Sequence, residues 1–86
     1  MPRVSEFFGI VILMYFADHN PPHFHAVHGG DAALVRIDDG RILAGGLGRA
    51  ATDLVERWRV LHRDELLSNW SAAMELRPLQ PIEPLR

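Results

Sequence analysis

With 86 residues and no Cys, the chain has room for one small apolar core and no covalent staple to support it. This composition excludes disulfides, thiolate zinc sites and Cys nucleophiles, and it fits a reducing, cytoplasmic setting. Nine Arg and no Lys against eleven acids leave a net charge of −2, so there is no general attraction to nucleic acid or anionic membranes, and Schiff-base and P-loop lysine chemistry is excluded.

From the amino end, Met1 to Glu6 lacks the basic and apolar regions of a signal peptide, and Ser5 to Phe8 reads as a short irregular lead closed by Gly9. Ile10 to Ala17 is apolar at both parities and rich in β-branched and aromatic residues, which predicts a strand covered on both faces. It is too short to cross a bilayer, so no membrane contact is expected. Asp18 to Pro22 is a loop stiffened by two adjacent prolines. A second strand runs from His23 to the Gly29-Gly30 turn, and a third from Asp31 to Asp38. Asp39-Gly40 is a hairpin signal that starts a fourth strand.

If both turns have two residues, Val27 opposes Ala32, His25 opposes Leu34, His23 opposes Arg36, Ile37 opposes Ile42 and Val35 opposes Ala44. One face is then wholly apolar: Phe24, Ala26, Ala33, Val35, Ile37, Ile42 and Ala44. The other presents His23, His25, Val27, Leu34, Arg36 and Leu43.

After Gly45-Gly46-Leu47-Gly48 the apolar period becomes helical through Ala51, Leu54, Val55, Trp58 and Leu61 or His62, with Asp53 and Arg57 as an i, i+4 pair on the solvent side. Leu66, Leu67, Trp70, Ala73 and Met74 continue it beyond Arg63-Asp64, where Asp64 suits a helix cap and either a bend or a break fits. Pro78, Pro81 and Pro84 then recur at period three and align Leu79, Ile82 and Leu85 on one edge. The expectation is a single α+β domain: an antiparallel meander of about four strands over 1–47, one long bent or two short helices over 48–76 packed on its apolar face, and an extended Pro-rich tail over 77–86 that docks on the domain or on a partner subunit.

Chemistry concentrates in one stretch. His19 to His28 holds four of the five histidines, and strand alternation puts His23 and His25 on one face. A His-x-His pair on a strand suits a divalent transition metal such as zinc, nickel or iron, with His19 as third ligand and Asp31 or Asp18 as carboxylate help. Arg36 beside His23 and His25 suits an anion such as phosphate instead. The plain alternative makes His23 and His25 solvated strand residues and His19 a brace of the turn. His28 is three residues from His25, which breaks the alternation a histidine-triad hydrolase needs. Arg59 and Arg63 read as a solvated helix face, Trp58, Trp70 and Met74 as core, and no Ser lies in a nucleophile context.

Ser5-Glu6-Phe7-Phe8-Gly9-Ile10, the run Met14-Tyr15-Phe16-Ala17-Asp18-His19-Asn20-Pro21-Pro22-His23-Phe24-His25-Ala26, Trp58 with Leu61-His62, Leu66-Leu67-Ser68-Asn69-Trp70 and Ile82-Glu83-Pro84-Leu85 together resemble the bacterial domain of unknown function family 4160. The resemblance spans nearly the whole chain and departs at Gly48, where the family pattern opens the helix with Pro. It implies no established activity. It implies a small protein partner encoded nearby, in an arrangement resembling toxin and antitoxin pairs, and the near-neutral charge argues against an RNA-cleaving toxin. The expected function is therefore one member of such a two-protein module, working through the His-lined surface, with a homo-oligomer also open. The alternative is a stand-alone metal-dependent or phosphate-handling enzyme centred on His19, His23 and His25.

Overall fold

A computed structural model describes residues 3–86. Five antiparallel strands pair in chain order, β1 (Arg3–Phe7), β2 (Ile10–Leu13), β3 (His23–His28), β4 (Asp31–Arg36) and β5 (Ile42–Gly45), followed by α1 (Arg49–Leu61) and α2 (Arg63–Met74). The α+β meander is as expected, with one strand more. The added strand is the segment read as an irregular lead. Phe8 and Gly9 both take positive φ, at 51° and 78°, so they form a two-residue hairpin turn that pairs Phe7 with Ile10. Phe is a poor residue for that first position, which hides the turn in the sequence.

The β3–β4 register is the expected one, with His23 opposite Arg36, His25 opposite Leu34 and Val27 opposite Ala32. The β4–β5 register is not. Val35 pairs with Ile42 and Leu34 with Ala44, leaving Leu43 as a bulge, and Ile37 does not pair with Ile42. The cause is a wider loop closed by Arg36 N–H to the Arg41 carbonyl (2.8 Å) and Gly40 N–H to the Arg36 carbonyl (2.9 Å). Ile37 is released from the ladder, donates its N–H to the Pro22 carbonyl at 3.0 Å and becomes fully buried. Arg59, expected on a solvated face, is buried here instead: its guanidinium donates to the Ile37 and Asp38 carbonyls and pairs with Glu56. Ile42 and Ala44 consequently leave the predicted core face and are exposed.

The core is otherwise the predicted one. Phe24, Ala26, Ala33, Val35 and Ile37 are buried with Ala51, Val55, Trp58 and Leu66 from the helices. Trp58 is its hub: it meets Phe7 at a ring distance of 5.3 Å and Phe24 at 5.7 Å, and its indole N–H donates to the Glu83 carbonyl. The helical stretch breaks at His62, which caps both helices through its backbone, so Asp64 lies in the first turn of α2 rather than at its cap. His62 is half-buried and Leu61 exposed, which decides between the two candidates for the end of the apolar stripe. The tail docks on its own domain. Ile82 and Leu85 are buried, the Ile82 N–H donates to the Val4 carbonyl, and the Asn69 amide brackets Gln80 with bonds of 2.8 and 2.9 Å.

Candidate metal centre

The strand expected over Ile10 to Ala17 stops at Leu13, and Met14 to Pro22 form the loop that builds the site. Ala17 takes a left-handed φ of 54° and donates its N–H to the Ala73 carbonyl at the end of α2. That tie and the two prolines hold Asp18 over the start of β3. Asp18 Oδ1 accepts the His19 backbone N–H at 2.8 Å, which turns Oδ2 toward the strand. His23 Nε2 lies 3.0 Å and His25 Nε2 3.4 Å from that oxygen. One atom each from Asp18, His23 and His25 fall within 4.8 Å of one another, a spacing that would hold a metal ion.

The burial is graded. The His23 side chain is 5% exposed, while Asp18 and His25 are 22% and 25% exposed, so the trio is anchored on one side and open to solvent on the other. His23 is thus not the solvated strand residue that alternation alone suggests. Phe24 does point into the main core, but Trp70 of α2 packs on the His23 ring at 5.2 Å. Tyr15 meets the His25 ring edge-on at 4.7 Å.

His23 Nδ1 lies 2.8 Å from the Pro21 carbonyl oxygen, which can only accept, so Nδ1 carries a proton. In the neutral ring Nε2 then presents a lone pair to a carboxylate oxygen 3.0 Å away. Two acceptors at that distance repel, and either a second proton on the ring or a cation between them relieves the contact. A carbonyl that orients an imidazole through its far N–H is also the usual outer support of a metal-bound His. Burial alone would raise the Asp18 carboxyl, but the His19 N–H and the two imidazoles more than offset it and hold the group below its ordinary value of 3.8.

Of the residues singled out from sequence, the structure brings together His23, His25 and Asp18. His19 contributes its backbone N–H, and its ring is not part of the grouping. Asp31 sits opposite His28 at the far end of the strand pair. Arg36 is in register with His23, yet its guanidinium is paired with Asp39 through Nε at 2.9 Å and through Nη2. Sequence reading missed the Pro21 carbonyl and the Trp70 wall, since neither a backbone acceptor in a Pro-Pro turn nor the contact partner of a helical Trp leaves a local signal.

The model of the family described as domain of unknown function (DUF4160) matches residues 9–71, and the chain belongs to that family. No curated protein and no solved structure matches the chain. No described helix is long and apolar enough to cross a membrane.

Proposed function

We propose that this member of a family whose description names no activity binds a divalent transition metal through His23 Nε2, His25 Nε2 and Asp18 Oδ2. The observation that carries this reading is the His23 ring, locked by the Pro21 carbonyl with its Nε2 aimed at the same carboxylate oxygen that His25 approaches. Two imidazoles and one carboxylate on one side of an ion suit zinc or iron(II) and leave coordination positions open on the solvent side. Such an ion would act as a Lewis acid on a bound water or on an oxygen of a substrate. The anion alternative is weaker because Asp39 already neutralises Arg36.

Metal binding is read from Trp70, whose indole lies beside the His23 ring. Titration with nickel or cobalt should quench tryptophan emission saturably, and zinc should compete. His25→Ala should abolish the effect, while Arg36→Ala, outside the trio, should leave it intact. Absence of saturable binding by zinc, nickel or iron(II) would refute the reading.

A second reading, membership of a two-protein module acting through the same surface, draws support from the exposed aromatic rings of Tyr15 and Phe16 on the loop that carries Asp18. It is tested by co-expression with a small protein encoded beside this chain: a complex lost in Phe16→Ser supports the module, and independent elution of the two chains, or the lack of any such neighbour, refutes it.

A further inference from the structure

Ala17, at φ 54°, and Leu76, at φ 57°, hold left-handed backbone, which residues with a Cβ seldom adopt. Both donate to the same acceptor: the Ala73 carbonyl receives the Ala17 N–H at 3.2 Å and the Leu76 N–H at 3.3 Å. Ala17 precedes the proposed ligand Asp18. Leu76 opens the path to the tail, and the Arg77 N–H, bound to the Ala72 carbonyl at 2.8 Å, fixes that path further. One carbonyl at the end of α2 therefore sets the course of both the site loop and the C-terminal tail.

Side chains one turn earlier repeat the arrangement. Trp70 packs on the His23 ring at 5.2 Å. Asn69, next to it, holds the Gln80 backbone from both sides, donating to its carbonyl at 2.8 Å and accepting its N–H at 2.9 Å. Beyond Gln80 the tail is anchored away from the site, by the Ile82 N–H on the Val4 carbonyl and by the Trp58 indole N–H on the Glu83 carbonyl. These anchors lie on β1 and α1, which carry none of the proposed ligands. The last turns of α2 are thus tied to the tail on one side and form the wall and tie of the site on the other. A tail that lets go frees Asn69 and Leu76, and Trp70 and Ala73 lose a constraint that His23 and the Asp18 loop share.

We propose that the tail is a strap that regulates the metal site: docked, it holds the end of α2 where Asp18 and His23 stay together, and a bound ion in turn holds the tail down. This rests on the metal-binding reading and adds its regulation. The two effects are equal by linkage, so if tail docking raises metal affinity by about tenfold, metal lowers tail release by the same factor.

Amide hydrogen exchange on the full wild-type chain, with and without saturating zinc, tests it. The Gln80 and Ile82 N–H groups should exchange faster than those of the central strand β3 in the metal-free chain, because the tail opens locally, and zinc should slow them by about tenfold. Binding that ignores the tail leaves local release unchanged and slows only amides that exchange through global unfolding. Zinc that protects β3 and leaves Gln80 and Ile82 unchanged therefore overturns the strap and leaves metal binding standing. Tail amides as protected as β3 without metal also overturn it, since the tail then has no release of its own. A chain in which zinc protects no amide loses the metal reading and the strap together. In the reciprocal direction, Asn69→Ala should weaken nickel binding, read by tryptophan quenching, about threefold or more. Val55→Ala, a core truncation in α1, should leave it unchanged. Equal loss in both variants would make the effect general destabilisation and overturn the proposal.

Discussion

Replacing Asp18 by Asn separates the two ways in which the lone-pair contact at His23 is relieved. The amide keeps an oxygen for the His19 N–H and turns an N–H toward His23 Nε2, which is now a donor facing an acceptor. Without metal, the amide bond to His23 offsets the lost carboxylate contacts, so the variant should match wild type within about 1 kcal/mol, the usual net worth of one hydrogen bond. With metal the two should separate. At a free ion concentration a hundredfold above Kd, binding stabilises wild type by about 2.7 kcal/mol. An 86-residue domain unfolds with an entropy of about 0.18 kcal/mol/K, so Tm should rise by about 15 °C. If loss of the carboxylate ligand weakens binding a hundredfold, the same concentration yields about 0.4 kcal/mol, or about 2 °C. Differential scanning fluorimetry at pH 7.5, with chelator and with zinc, reads both effects. An equal metal shift in wild type and Asp18→Asn, or a strongly destabilised metal-free variant, would refute the reasoning.

Three further outcomes follow from the same geometry. Asn69→Ala removes both bonds to Gln80 and orphans two backbone groups, so it should cost about 2 kcal/mol or more in denaturant unfolding and loosen the tail; an unchanged midpoint would show that Asn69 does not hold it. Gly48 has φ −61° and open space where a Cβ would sit, so Gly48→Pro fits the backbone there and should add about 0.4–1 kcal/mol, read as a higher Tm. Because the folded Asp18 carboxyl lies below its ordinary value, its contribution is fully present above about pH 4 and lost as pH falls through the folded value; Asp18→Asn should flatten that acid limb.

How much of this was legible in the sequence depends on the range of the interaction involved. Gly29-Gly30 carried its own register, because a two-residue turn between alternating strands leaves one way to bury Phe24 and Val35. Asp39-Gly40 did not, because Ile37 leaves the ladder to bond the Pro22 carbonyl, and the buried Arg59 satisfies the carbonyls of the wider loop. That competition spans 22 residues of sequence and leaves no mark on the dipeptide. At the site, alternation identified His23 and His25 as a pair but left the carboxylate open between Asp18 and Asp31. Only the path of the loop decides it, through Ala17 and its tie to Ala73.

The ring nitrogens themselves report whether His23 and His25 ligate a metal. In chain labelled with 15N at histidine, long-range proton–nitrogen correlation spectra distinguish protonated, bare and metal-bound imidazole nitrogens. Addition of one equivalent of zinc should move Nε2 of His23 and of His25 to metal-bound shifts, keep Nδ1 of His23 protonated on the Pro21 carbonyl and leave His19 unchanged. A His23 ring protonated at both nitrogens and indifferent to zinc would contradict the account and make the Asp18 contact an ordinary ion pair.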